Sequence, residues 1–226
     1  LSWRELMLRL EGPIAGVFRK SFLESFRLYR KYIFNKFAYK RAIHFGEFEI
    51  VQDLPSIYRQ RIKKRYERLI RKARKEIIIE SPYFLPGYKL RRQLMLAARR
   101  GVIIKIILPL HSDVRLVDLL RDKYLGFYYD NKMEIYYYRP NNLHAKCMLI
   151  DNETFALGSA NFDYRSFRYL HEIALVGTHQ KVVAMLKEHL EETLRFSVEF
   201  NHHNWLKRPL LEKVFGWLLI PFRHLF

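Results

Sequence analysis

Apolar residues recur along this chain at two different periods, and the change from one to the other marks out its elements. Val17, Phe18, Phe22, Phe26, Tyr29 and Ile33 fall at steps of three and four behind a Gly12-Pro13 start signal. That spacing predicts an amphipathic helical lead-in over residues 1–40. From residue 41 onward, short β-rich runs take over and alternate with helical stretches. Glu47 to Val51 predicts a strand, and Asp53-Leu54-Pro55 a turn that launches a basic helix. Glu76 to Ser81 (EIIIES) is a strand-type run ended by Pro82, and Val102 to Leu108 (VIIKIIL) is almost wholly apolar, as a strand buried on both faces should be. A helix is expected over 89–100, stopped by Gly101, and another over 112–123. Met133 to Tyr138, Leu143 to Ile150, Thr154 to Leu157 and His171 to Val176 predict further strands, and a helix over 179–196 closes the series. Strands interleaved with helices point to an α/β sandwich, with no internal repeat and no low-complexity linker.

Composition narrows what such a domain binds. Among 226 residues, half apolar and 15% aromatic, there are 41 Lys and Arg against 23 Asp and Glu, and 41 − 23 gives a formal charge of +18. Disorder is excluded by the apolar content. The excess charge implies a polyanionic partner, either nucleic acid or an anionic membrane surface. Residues 59–75 alone hold ten cations and one acid, Glu67, while Ile62, Tyr66, Leu69, Ile70 and Ala73 keep one stripe for packing. Cys147 is the only cysteine, which excludes intramolecular disulfides and thiolate metal clusters. The His202-His203 pair has no carboxylate or cysteine arranged around it and reads as surface. No charge-free run exceeds nine residues, too short for a membrane-spanning helix. The most apolar window, Val214 to Phe222, is bracketed by Lys207, Arg208, Lys213 and Arg223; a terminal helix docked on the core is expected there in preference to an interfacial anchor. The chain opens Leu1-Ser2-Trp3 and reads as a piece of a longer one.

Candidate chemistry concentrates in Leu143 to Asp163, LHAKCMLIDNETFALGSANFD. In a strand His144 and Lys146 project from the same face, while Leu143, Ala145, Cys147 and Leu149 take the buried one. Asp151 ends the strand, a tight turn follows, and the returning strand delivers Gly158-Ser159-Ala160-Asn161 to the end of the hairpin that carries His144. An imidazole, an ammonium and neutral donors converging there suit a phosphate diester: Lys146 and Asn161 bind nonbridging oxygens while His144 attacks phosphorus or donates a proton. Taken singly each residue has a plain structural use; the joint pattern H-x-K-x4-D-x6-G-S-x-N fixes six positions in eighteen residues.

That pattern resembles the HKD motif of the phospholipase D superfamily. The flanks Ser81-Pro-Tyr-Phe-Leu-Pro86, Ala97-Ala-Arg-Arg-Gly-Val102, Pro109…Ser112-Asp113 and Asn161-Phe-Asp-Tyr-Arg-Ser166 narrow the likeness to the C-terminal half of a bacterial cardiolipin synthase, and Leu10-Glu-Gly-Pro13 resembles the stretch after the first HKD motif. The resemblance implies a phospholipase D-like sandwich: a mixed, mostly parallel sheet flanked by helices, with amphipathic helices at both ends. A catalytic domain over 41–226 would carry a C-terminal membrane-proximal helix. It further implies His144 as the active-site histidine, Lys146, Ser159 and Asn161 around the phosphate, Asp151 as the motif aspartate, more structural than chemical, and Glu172 as the acid that orients a catalytic histidine, although His171 stands where the family often has Asn. It implies a second HKD half, since departure of an alkoxide needs a second histidine as acid. No other complete H-x-K-x4-D occurs here, since His179-Gln180-Lys181 has Leu186 at the aspartate position, so that half comes from an N-terminal region or a homodimer mate, and the fragment alone should be inactive or weak. Phosphatidylglycerol as substrate, a bacterial inner-membrane location, no metal and no cofactor complete the expectation. The rival is a phosphodiesterase or nuclease of the same superfamily, which the apolar tail and the flanks weigh against.

Overall fold

A computed structural model describes residues 3–28, 42–55, 59–140 and 142–224. The chain opens with β1 (Trp3–Arg4) and α1 (Pro13–Leu28), then the hairpin β2 (Ile43–Phe45) and β3 (Phe48–Asp53). The basic helix α2 (Arg61–Lys72) leads into an alternating run, β4 (Glu76–Glu80), α3 (Tyr88–Arg99), β5 (Ile103–Pro109), α4 (Arg115–Asp130) and β6 (Glu134–Tyr138). Short pieces follow: β7 (Asn142–Leu143), β8 (Cys147–Ile150), β9 (Thr154–Gly158), α5 (Tyr164–Tyr169) and β10 (Glu172–Gly177). The chain ends with α6 (Gln180–Arg195), β11 (Ser197–Glu199), α7 (His202–Leu206), α8 (Leu210–Leu218) and a 3-10 turn over Ile220–Phe222.

One nine-stranded sheet runs β11-β6-β5-β4-β8-β9-β10-β3-β2, with β1 and β7 paired separately. Side chains alternate between two cores. Ile77 and Ile79 of β4, with Ile104, Ile106 and Leu108 of β5, face α2, α3 and α4. Ile78, Ile107, Cys147 and Leu149 face α6, with Val17 and Phe18 of α1 against the same layer. The α/β sandwich is as expected, but the sheet is not mostly parallel: only β4–β5 and β5–β6 are parallel. The other pairings are antiparallel. Parallel neighbours need a crossover of a dozen residues or more, as in the β4-α3-β5-α4-β6 run; β8 and β9 are joined by Asp151 to Glu153 alone.

Three other expectations change. Among the described residues, helix in the lead-in is confined to α1, because Trp3 and Arg4 pair with Asn142 and Leu143 as strand; Tyr29 and Ile33 lie outside the described residues. The strand expected over Leu143 to Ile150 is broken at 144–146, where the chain changes partners: the His144 N–H donates to Arg4 O, the Lys146 carbonyl accepts from Gly158 N–H, and pairing with β4 and β9 begins at Cys147. α4 runs on to Asp130, since Leu125 and Tyr128 continue its buried stripe past 123. Gly126 tolerates this because the Trp205 ring lies where a side chain would go, its Nε1–H donating to Asp122 O at 2.7 Å. Gly101 ends α3 with φ +87°, as its position suggested.

Candidate active site

His144 is set by the short β1–β7 ladder. Arg4 pairs with Leu143, so the next residues, Glu5 and His144, stand side by side, and Glu5 Oε1 lies 2.6 Å from His144 Nδ1. Arg4 anchors this segment to α6, donating to Thr193 Oγ1 at 3.1 Å and to Glu192 Oε2 at 2.9 Å. Trp3 closes edge-on against the imidazole, ring centroids 4.8 Å apart. Nδ1 is thereby engaged, and among the described residues Nε2 makes no hydrogen bond on a side chain that is 37% exposed.

Lys146 lies beside it, with Nζ donating to the carbonyl of His144 at 2.5 Å. Burial pulls its pKa down to about 8, against the upward pull of Glu5, Glu172, Asp163 and Asp113. Four carboxylates thus act on this weakened cation. Asp113 accepts a 2.5 Å bond from Tyr83 Oη, which fixes it at the rim. Its loop is tied down by Arg121, only 2% exposed, which bridges Asp118 and Asp122 and donates to Pro109 O.

The returning strand accounts for the glycine of the motif. A Cβ on Gly158 would sit 2.1 Å from Ile173 O, so β9 can lie against β10 only with glycine there. The close approach is to the neighbouring strand, not to a bound group. Ser159 then reaches Glu172, to which its hydroxyl donates, and accepts from Ile173 N–H at 3.0 Å. Desolvation raises the pKa of Glu172. Asn161 follows; its Oδ1 is buried with no hydrogen-bond partner, an unmet polar atom close to the cluster. Asp163 caps α5 through Ser166 N–H at 2.6 Å, a helix the sequence reading lacked although Asp163-x-x-Ser166 is a capping pattern.

One expected member stands elsewhere, and another has a different partner from the one expected. Asp151 is at the opposite end of β8 from His144, with φ +56°, accepting from the N–H groups of Arg74, Lys75 and Glu76. Desolvation pushes its carboxyl up, but these three donors outweigh it and hold the pKa below the usual range. It fastens the β8–β9 turn to the start of β4. Glu172 bonds Ser159, and the carboxylate on His144 is that of Glu5, which sequence reasoning missed. A signal for it existed: Arg4-Glu5-Leu6-Met7-Leu8 parallels His171-Glu172-Ile173-Ala174-Leu175, and each segment is followed by a sixteen-residue helix, α1 and α6. Among the described residues no group of three His, Cys, Asp or Glu side chains is arranged to hold a metal ion.

Residues 66–194, which include this whole hairpin, match the family model described as cardiolipin synthase, PLD-like domain. The chain belongs to that family. Curated relatives of this phospholipase D-like domain include the probable cardiolipin synthase YwiE of Bacillus subtilis, 27% identical across 93% of this chain and 43% of its own length. A cardiolipin synthase of Listeria welshimeri is 29% identical, across 92% of this chain and 44% of its own. The chain thus spans less than half the length of these relatives. Among solved structures, the fold is shared with phosphatidylserine synthase of Haemophilus influenzae, at TM-score 0.64 and 18% identity, covering 91% of this chain and 52% of that one. It is shared also with the phospholipase D family member Nuc of Salmonella typhimurium, at TM-score 0.54 and 19% identity, covering 68% and 99%.

Proposed function

We propose that this chain supplies one of two half-sites of a membrane-associated phosphatidyltransferase that makes cardiolipin from phosphatidylglycerol. The observation that carries the reading is the imidazole of His144, held at Nδ1 by Glu5 with Nε2 left without a partner among the described residues, while the Lys146 ammonium bonds the His144 backbone carbonyl. A carboxylate on Nδ1 fixes the ring's orientation and tautomer and stabilises the imidazolium once Nε2 takes on phosphorus or a proton. In the first step one histidine Nε2 attacks the phosphorus of phosphatidylglycerol, the P–O bond to glycerol breaks, and the second histidine gives the leaving glycerol its proton. In the second step that histidine takes the proton from the hydroxyl of another phosphatidylglycerol, whose oxygen displaces nitrogen from phosphorus and completes cardiolipin. Lys146 and Asn161 hold the nonbridging oxygens, and Asp151 and Ser159 act as positioning residues.

Electrostatics support a missing second half. Burial weakens Lys146 while Glu5, Glu172, Asp163 and Asp113 draw on it, so a second H-x-K would add positive charge for a phosphodiester anion. The likeness between the Glu5 and Glu172 segments supports the same reading, with Glu172 placed to hold an imidazole of the other half as Glu5 holds His144. In the protein carrying both half-sites, His144→Ala should abolish conversion of phosphatidylglycerol to cardiolipin; unchanged conversion refutes the proposal. The charge of +18 also suits a nuclease-type phosphodiesterase. Binding to DNA but not to phosphatidylglycerol vesicles in the same salt would favour that second reading.

A further inference from the structure

Helix α8 is docked the wrong way round for a soluble protein. Its buried edge is Gly216, which lies so close to α4 that a Cβ would come within 3.2 Å of Leu119 O. Glu212 and Lys213 sit with Gly216 on a small polar cleft lined also by Asp122, Lys123 and Arg208. The opposite face carries Leu211, Val214, Phe215, Trp217, Leu218 and Phe222, each 44% to 71% exposed. Leu211, Val214, Phe215, Leu218 and Phe222 follow steps of three and four, so the exposed side is a continuous apolar stripe.

Cations of the inner cleft reach the edges of the helix. Lys123 Nζ lies 3.7 Å from the centre of the Trp217 ring, and Arg208 stacks on Trp205 at 3.9 Å. Lys213 Nζ turns back to Leu206 O at 2.7 Å, and Arg223 extends over Tyr164. An apolar face with Trp217 and its stacked Lys123 at one edge, on a chain of charge +18, matches an anionic bilayer surface, where the ring lies at headgroup depth. A second copy of the chain is a poorer occupant, because a self-complementary contact would bring these same cations together between molecules of charge +18.

The turn after α8 is linked to the candidate site through one small core cluster. Leu219, the residue after α8, packs with Leu85, Val117 and Leu120 beside Tyr83, whose hydroxyl bonds Asp113. We propose that α8 and the following turn dock this chain on an anionic lipid bilayer and hold the mouth of the His144 site against the surface. The choice of lipid rests on the phosphatidyltransferase reading; the helix that docks does not. The expected docking of the tail helix on the core is present, but by its polar edge, with the apolar face outward.

The test is flotation of the full chain with vesicles of phosphatidylcholine containing phosphatidylglycerol, at physiological salt. Wild type should float, and L211S/F215S/L218S should lose vesicle affinity by at least about tenfold while keeping its far-UV circular dichroism. Trp217→Phe should still float but lose most of the vesicle-induced blue shift in tryptophan fluorescence. Equal flotation of the triple variant and wild type would overturn the proposal, as would failure of wild type to float. A change in the triple variant from dimer to monomer with vesicle binding intact would also overturn it. His144→Ala should float like wild type, so loss of docking and loss of transfer chemistry are read separately.

Discussion

Replacing Gly158 with alanine is expected to damage stability and chemistry together, through one contact. The new Cβ would lie 2.1 Å from Ile173 O and 2.8 Å from Ala174 Cα, both backbone atoms of β10 that no rotamer change can move. Ordinary carbon–oxygen contact begins near ~3.3 Å, so the strands must part by about 1 Å at this point. Such overpacking costs about 1–3 kcal/mol. The Ser159 N–H to Ile173 O bond, now 2.9 Å, would be stretched beyond use, adding about 1 kcal/mol. The sum is roughly 2–4 kcal/mol, measurable by urea denaturation. The same parting pulls Ser159 from Glu172, and displacement of about 1 Å near reacting groups costs on the order of 100-fold in rate, read by phosphatidyl transfer in the protein carrying both half-sites. Gly101→Ala is the control: its φ of +87° makes alanine strained, yet nothing lies within 4 Å of the new Cβ, so it should lose about 1 kcal/mol and no activity. A Gly158→Ala protein with wild-type stability and wild-type rate would refute the reasoning.

Two further outcomes follow from charges held in unusual places. Lys146 titrates at about 8 because it is desolvated, so its ammonium is lost as pH rises through that value. The kcat/KM of the complete enzyme should then fall above about pH 8, whereas a flat profile to pH 10 would remove Lys146 from phosphate binding. Asp53 accepts from the N–H groups of Arg61 at 2.7 Å and Ile62 at 2.9 Å, capping α2 from a neighbouring strand. Asp53→Ala should cost about 1–2 kcal/mol in urea denaturation. Burial raises the Asp53 pKa to about 6, so the folded state holds its proton more tightly than the unfolded chain. Its contribution to stability is full below the ordinary carboxylate range and is lost as pH rises through about 6; Asp53→Asn should flatten that slope.

The central strands were readable because β4 and β5 are buried on both faces and their apolar runs admit no other use. The hairpin was readable for the same reason, together with the fixed spacing from His144 to Asn161. Strand direction was legible too, since three residues between β8 and β9 leave no room for a crossover, and an expectation of mostly parallel pairing passed over that constraint. Glu5 was not accessible to local patterning. It meets His144 across 139 positions of sequence, through a two-residue ladder with no hydrophobic run to announce it. The polarity of α8 misled in the opposite sense: an apolar window ordinarily faces inward, and here Gly216 lets the polar edge take the inner place.

The state of one ring tests the account most directly. Nitrogen-15 NMR of the neutral imidazole of His144 should show the proton on Nδ1, donated to Glu5, and a bare Nε2 lone pair; Glu5→Gln should disturb that tautomer. A proton resident on Nε2, or a tautomer indifferent to Glu5→Gln, would contradict the geometry from which the chemistry is derived.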